Sequence, residues 1–585
     1  MFGLSRVVSA LIASSDEAAR VASASMTAVG VAVASLARSA RVPDRDATMP
    51  ASAPPSEPDA DTRAVSGPWT AARLRHVLHD SLQGQRVLVV ANREPRIHDW
   101  TPGGEIVVRH PASGLVTALE PVMRACSGVW VAHGSGSADR ACSDRQGRYL
   151  VSTGDAEYAL RRVWLSEDEE RGYYYGFANE ALWPLCHLAH AHPVFRRDDW
   201  VHYQRVNQRF ADAVMAEADC DDPIVLVQDY HFALVPRMLR RRLPRATILT
   251  FWHIPWPNAE RMAICPYHEP LLEGLLGSSI VGFQTSMHAH NFLESVDRSL
   301  EARVERGDMA VMHHRHRTLV RAYPISIEWP SRLASTSPDL ESCRSAVREE
   351  WGVPQGARIV LSVDRLDYTK GIGERLRSFE HTLERWPGPP GSLVFVQVGA
   401  PSRVRIDSYR EYGERIRTEV ARINARFATL HGHDGVGPIL LAERHYEPPE
   451  VFRMYRAADV CYVSSLHDGM NLVAKEFVSA RDDLQGVLLL SRFAGAAREL
   501  TEALVVNPYD VEAVGDILMA ALAMSPNEQR ERMSALRQQV SEHNVYRWAG
   551  RMLLDATRLR HRERLQGRLQ TRLAARRLAR STHFV

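Results

Sequence analysis

The chain has no uninterrupted apolar run of about 18 residues, the length a membrane-spanning helix requires, so no membrane span is expected. Its seven cysteines, at positions 126, 142, 186, 220, 265, 343 and 461, never form a C-x-x-C pair, which leaves neither a zinc pattern nor a disulfide framework. G-x-x-x-x-G-K-[ST] and G-x-G-x-x-G are also missing, so no nucleotide-binding signature of another class competes. Strong charge of one sign is lacking too. The formal net charge is +2 over 585 residues, and the basic excess lies in residues 556–585, where nine arginines face the single Glu563. No aromatic residue is interleaved among those arginines for base stacking, so the tail reads as a solvated or self-associating basic helix and no nucleic-acid partner is expected. The opening "MFGLSRVVSALIASSDEAAR" begins like a signal peptide, but its apolar run is short and "DEAAR" follows it. A cytoplasmic protein is expected.

What is present is the composition of a globular protein, 45% hydrophobic and 24% charged. From Val42 to Pro68 the chain is rich in Pro, Ala, Ser and Asp and poor in large apolar residues, which predicts disorder. Beyond it, short apolar runs such as "QRVLVVAN", "PIVLVQ", "ATILTFWHIP", "RIVLSVD", "SLVFVQVG", "DVCYVSS" and "GVLLLS" alternate with amphipathic stretches. That pattern predicts parallel strands buried on both faces and joined by helices. The strand series pauses over the polar helical stretch Ser331–Gly356. The expected organisation is therefore a mostly disordered extension over 1–84, doubly wound Rossmann-like domains over 85–335 and 336–555, and an Arg-rich helical tail over 556–585. In such sheets ligands lie at the carboxyl ends of the strands, which here means the cleft between the two domains.

Polar residues follow several of these runs. "RIVLSVDRLDYTKG" offers Arg365 and Lys370, two cations on a loop ended by Gly371, suited to a diphosphate; a surface ion pair between Arg365 and Asp367 is the plainer reading. "SLVFVQVGAPSRVR" ends with Ser402 and Arg403. In "SSLHDGMNLVAKEF", a strand must turn and start a helix, so the amides near Asn471, Leu472 and Val473 form an anion site at a positive helix end. Glu476 follows Asn471 by little more than one turn, a reach that suits the vicinal hydroxyls of a ribose. A nucleoside diphosphate accounts for cations, helix end and carboxylate together. In the first half, Arg93, Asp229, His231 and His253 each stand just beyond an apolar run. "GYYYGFANEALWP" adds Tyr174 and Trp183, fit to pack on a sugar or in the core. "HLAHAH" (His187, His190, His192) and "HHRH" (His313, His314, His316) lack companion carboxylates or cysteines, so no metal and no cofactor are expected.

"NREP", "FANEALWP", "QDYHF", "HIPWP", "VDRLDYTKG", "APSR", "ARINARF", "HDGMNLVAKEF" and "SRFAGAARELTEALVVNPYD" occur in the order and spacing of glycosyltransferase family 20, the trehalose-6-phosphate synthases, which the chain resembles from Arg86 to Asp555. The resemblance implies a GT-B fold, two Rossmann-like domains facing a central cleft. It implies transfer of glucose from a nucleoside-diphosphate glucose, UDP-glucose foremost, to glucose 6-phosphate with retention. By that resemblance Arg365 and Lys370 bind the donor diphosphate, Glu476 the ribose, and Asp468 the transferred glucose, with the amides of Asn471, Leu472 and Val473 nearby. Gly114 belongs to the donor loop, and His253 lies against the donor sugar. Arg93, Tyr174 and Arg403 clamp the acceptor phosphate, Trp183 lines that pocket, and Asp229 contacts acceptor hydroxyls. Asp468 is cast as a positioning group, not a covalent nucleophile. A homo-oligomer is left open.

The sequence departs from the family where Ser113 precedes Gly114 in place of a second glycine, and where Ser326 in "YPISIEW" replaces glycine. Ile97–His110 also lengthens the loop after the first strand and carries Gly103 and Gly104. The rival readings are a glucosylglycerol-phosphate synthase, taking ADP-glucose and glycerol 3-phosphate, and a catalytically silent sugar-phosphate-binding regulator.

Overall fold

The computed structural model describes residues 68–82, 85–111, 114–153, 156–428 and 437–581. Residues 1–67 of the extension expected to be mostly disordered over 1–84, and the departure at Ser113, lie outside them. In chain order the strands of the first half are β1 (Val87–Val90), β2 (Ile97–Trp100), β3 (Ile106–Arg109), β4 (Val129–His133), β5 (Arg148–Thr153), β6 (Ala156–Val163), β7 (Ile224–Gln228), β8 (Thr247–Trp252), β9 (Ile280–Phe283), β10 (Arg303–Glu305), β11 (Ala310–His313) and β12 (His316–Ala322). Those of the second half are β13 (Arg358–Arg365), β14 (Leu393–Ala400), β15 (Ile439–Ala442), β16 (Val460–Val463), β17 (Val487–Ser491) and β18 (Leu504–Val506).

Among the described residues the first sheet runs β10-β11-β12-β9-β8-β7-β1-β4-β6-β5 and the second β15-β14-β13-β16-β17-β18, while β2 and β3 pair apart as a hairpin. The second sheet is parallel throughout, and in the first only the two ends, β10-β11-β12 and β5-β6, are antiparallel. Every residue of β1, β7, β8, β16 and β17 is buried, because helices cover both faces; this is why these strands read as continuous apolar runs and not as alternation. In each sheet the chain starts at the centre, builds to one side, returns, and builds to the other. The reversal falls between β1 and β7 in the first sheet and between β13 and β16 in the second. Two doubly wound sheets of this kind make the α/β, GT-B architecture.

Two boundaries differ from the sequence reading. The extension expected to 84 contains the helix Ala71–Leu82, because Leu74, Val77 and Leu78 share one face and are buried, with Trp69 packed at Gly550. The last helix, Val545–Ser581, joins the expected tail to residues assigned to the second domain, and it packs on the first sheet. Trp548 meets Phe251 with ring centroids 5.3 Å apart, and the Tyr323 hydroxyl donates to Asp555 at 2.7 Å. Arg560 and Arg564 both pair with Asp222, Arg560 at 2.7 Å. Apolar side chains at helical spacing thus carry the chain back to where it began. Among the described residues no helix is long and apolar enough to cross a membrane.

Candidate active site

The two reversal points face each other, and the residues that follow their strands meet there. Beyond β1 and β7 stand Arg93 and Asp229; Arg365 ends β13, and Lys370 and Asp468 stand beyond β13 and β16. The approach is close. A Cβ added to Gly469 would sit 2.1 Å from the carbonyl oxygen of His253, so backbone from the second half lies directly on the end of β8. Likewise a Cβ at Gly114 would be 3.1 Å from Leu472 Cδ1, which brings the first turns of helices Gly114–Cys126 and Leu472–Ala480 together. Both helices begin with amides that lack intrahelical acceptors, a place for an anion.

On the donor side, Asn471 (φ 79°) ends the turn, and its Oδ1 accepts from the Ala474 amide at 3.1 Å, capping the helix. Asp468 accepts from Lys370 Nζ at 2.5 Å, Ser465 Oγ at 3.2 Å and Asn471 Nδ2 at 3.3 Å, all on Oδ2. Burial works to raise its pKa, but the charge and hydrogen bond of Lys370, helped by Asn471, outweigh it and hold the carboxyl at about 2. Lys370 is aimed there by Gly371 (φ 64°), where a Cβ would lie 2.4 Å from the Ser464 carbonyl. One turn along the helix, Glu476 accepts from the Tyr455 hydroxyl at 3.0 Å, and burial raises its pKa against that bond.

The opposite wall gathers cations. Arg93 donates to the Tyr174 hydroxyl at 2.9 Å. Tyr174 lies in a twelve-residue π-helical stretch, Arg171–Leu182, whose wider turns place it and the following Trp183 on one wall. Arg403 lies 4.0 Å over the Trp183 ring and Arg365 5.4 Å from the same ring. Both guanidinium groups also reach one oxygen of Asp367, Arg403 at 3.3 Å and Arg365 at 3.5 Å. Asp367 is completely buried, and its other oxygen accepts from the Thr369 amide and hydroxyl. Tyr409 binds both Arg403 and Asp367. Burial would raise the Tyr174 pKa, but Arg93, Arg403 and Arg365 together lower it to about 8.

Asp229, Arg403 and Asn471 all adopt left-handed backbone conformations, φ 75°, 50° and 79°, which cost about 1 kcal/mol or more each for residues with a side chain. Asp229 Oδ1 accepts from the His253 amide at 3.1 Å, and burial pushes its carboxyl up to about 7. His253 Nε2 is 2.8 Å from Gln228 Oε1, and burial lowers the imidazole to about 3, so it is neutral and oriented by Gln228. His231 stacks on Tyr174 at 5.8 Å and 9°, an aromatic support beneath the cationic wall.

The remaining histidines serve elsewhere. His187 is buried with its Nδ1 2.8 Å from the Trp183 carbonyl and its ring 4.1 Å from Trp183. His190 and His192 are exposed. The carboxylate missing from the "HHRH" stretch is Glu273: it, His313 and His314 bring ligand atoms within 4.8 Å of one another, but Glu273 is already paired with Arg237. Sequence reasoning gave Asp367 no more than a surface ion pair with Arg365 and passed over Tyr409, Gln284 and Lys475. Gln284 carried the same mark as Asp229, a polar residue directly after an apolar strand.

A model of glycosyltransferase family 20 matches residues 85–558. The trehalose-6-phosphate synthase of Mycobacterium avium (strain 104) is 41% identical over 478 residues, covering 80% of this chain and 94% of its own length. That of Mycolicibacterium gilvum (strain PYR-GCK) is 40% identical over 479 residues, 80% and 93%. Among solved structures, one from E. coli bound with UDP-2-fluoro glucose superposes with a TM-score of 0.69 at 30% identity, covering 81% of this chain and 99% of that one. A UDP-forming α,α-trehalose-phosphate synthase from Burkholderia xenovorans in complex with glucose-6-phosphate gives 0.70 at 31% identity, covering 80% and 99%.

Proposed function

The chain belongs to glycosyltransferase family 20, and on that premise we propose how its cleft performs the family's reaction. The protein is a retaining glucosyltransferase that moves glucose from a nucleoside-diphosphate glucose to glucose 6-phosphate, yielding α,α-trehalose 6-phosphate and the nucleoside diphosphate. UDP-glucose is the proposed donor, and the cytoplasm the proposed setting, in keeping with seven free thiols.

One observation carries the reading of the site: Arg365 and Arg403 share Trp183 and the buried Asp367. A donor-side cation and an acceptor-side cation therefore line one wall, as two phosphorylated substrates meeting at one reaction centre require. Arg93, Tyr174 and Arg403 hold the acceptor phosphate beside Trp183, and Asp229 takes acceptor hydroxyls. Arg365, Lys370 and the amides of Asn471, Leu472 and Val473 receive the diphosphate, and Glu476 the ribose.

Breaking the glucosyl–phosphate bond leaves negative charge on the β-phosphate, which these cations and the helix end stabilise in a cleft that excludes water. The leaving group is good enough that no enzyme carboxylate has to replace it, unlike glycoside hydrolysis. The acceptor hydroxyl attacks from the face the phosphate leaves, and a departing phosphate oxygen takes its proton. Asp468 supports this division of labour: three donors hold its Oδ2 and so orient Oδ1 toward sugar hydroxyls, and a carboxyl held at about 2 is a weak nucleophile. Incubation with UDP-, GDP- and ADP-glucose against glucose 6-phosphate and glycerol 3-phosphate, with products identified by NMR, tests the reading. Trehalose 6-phosphate from a nucleoside-diphosphate glucose is expected; product only with glycerol 3-phosphate, or none, overturns it.

A further inference from the structure

Lys475 stands beside Glu476 in the donor helix yet points away from the cleft. It is 1% exposed, and its Nζ donates to the Ile325 carbonyl at 2.8 Å and to Glu499 Oε2 at 2.6 Å. Ile325 belongs to the stretch Tyr323–Pro330 that leaves β12 for the second sheet. Its own amide donates to Gln284 Oε1 at 3.0 Å, and Gln284 Nε2 donates to the His253 carbonyl at 3.3 Å. That carbonyl is the surface on which Gly469 rests, six residues before Lys475. The contacts therefore close a ring: Gly469 to Lys475 along the chain, then Ile325, Gln284, His253 and back to Gly469.

Each link is enclosed. Gln284 is 2% exposed, and Ser326, next to Ile325, is fully buried with its Oγ unpartnered among the described residues. Buried polar groups that satisfy one another fix a geometry, because losing one partner leaves the other unsolvated. A simple ion pair would have tied Lys475 to Glu499 alone; here the same ammonium also holds a backbone segment that leads from sheet to sheet.

We propose that Lys475 and Gln284 are positioning residues for the transfer, setting the register of His253 on the first sheet against the turn Asp468–Asn471 on the second. The inference rests on the functional reading above, in which those two elements grip the donor sugar. Neither side chain touches substrate. The diphosphate and ribose groups, Arg365, Lys370 and Glu476, all sit on the second sheet and keep their places when the ring is cut.

The test combines Lys475→Met/Glu499→Gln, which removes the ammonium without stranding a charge, with Gln284→Met, which cuts the ring at its other side. Steady-state kinetics, UDP binding by calorimetry and thermal unfolding are measured on each. The expected result is a kcat at least tenfold lower in both, with the UDP Kd within threefold of wild type. Because both variants break one ring, combining them should lower kcat by no more than a further twofold. A kcat within twofold of wild type in either variant overturns the inference. So does a parallel fall in kcat, UDP affinity and Tm, the mark of a merely structural role. Should the lysine variant fail to fold, Gln284→Met decides alone. An inactive wild type overturns the functional reading and this inference with it, whereas an active wild type with unaffected variants overturns the inference only.

Discussion

Lys370 Nζ lies 2.5 Å from Asp468 Oδ2, so the cation proposed for the leaving phosphate and the carboxylate proposed for the sugar form one ion pair. Removing the ammonium by Lys370→Ala should lower kcat by about 10² to 10³, the usual cost of losing one group that stabilises developing charge. It should also leave only the hydrogen bonds of Ser465 and Asn471 to oppose the burial of Asp468. The carboxyl sits at about 2, below its ordinary 3.8, so its ionised form is secured at neutral pH and lost only as pH falls through about 2. In the variant that loss moves upward, and an acid limb should enter the pH–rate profile; a profile of unchanged shape and height contradicts the assignment.

Because Asp468 acts as a hydroxyl acceptor, no glucosyl ester should form on it. Intact-protein mass spectrometry during turnover of a 2-fluoro donor should show the unmodified mass. An adduct mapped to Asp468 would replace same-face attack with a double displacement.

Tyr174 gives the acceptor site its own pH dependence. Three guanidinium groups lower its pKa to about 8, against burial. A bound phosphate needs the phenol protonated, since a phenolate places like charge beside it. Above about pH 8 the apparent KM for glucose 6-phosphate should therefore rise, approaching tenfold per pH unit. In Tyr174→Phe the KM at pH 7 should be higher and the rise above pH 8 absent.

Asp367 holds both Arg365, proposed for the donor, and Arg403, proposed for the acceptor, so its effect should not be confined to one substrate. Asp367→Asn keeps the shape but removes the charge that fixes Arg365 and Arg403. KM should rise for both donor and acceptor, about three- to tenfold each given a hydrogen bond to a charged group. A rise confined to either substrate would mean that the shared oxygen does not act on both guanidinium groups.

What could be read from the sequence was mostly what lies at strand ends. Short apolar runs mark buried parallel strands, and the next polar residue is then at the carboxyl edge, which located Arg93, Asp229, His253, Arg365 and Asp468. The helix start at Asn471 was legible for the same reason, as the shortest way out of β16. Asp367 was not. Beside Arg365 it read as half of a surface ion pair, and only the packing of Tyr409, forty-two residues further on, shows that it is enclosed. Lys475 drew no assignment, because its acceptor, Ile325, is 150 positions away. The nature of the sugars came from family resemblance alone, since no spacing in one chain encodes a hexose. The ordered helix Ala71–Leu82 was hidden by the Pro- and Ser-rich stretch before it, although Leu74, Val77 and Leu78 carried its period.

The return of the last helix to the first sheet has a mechanical consequence. The chain passes between the sheets twice, once near Ile327 and once near Val545, and the two passages are bonded: the Val545 amide to the Ile327 carbonyl at 2.9 Å and the Tyr546 hydroxyl to Glu328 at 2.5 Å. A single passage permits twisting as well as bending, but two joined side by side bend about one axis and resist torsion. Opening and closing of the cleft should then follow one angular coordinate, with the pivot beside Ile325, so that the far rim sweeps widely while the residues nearest the axis scarcely move.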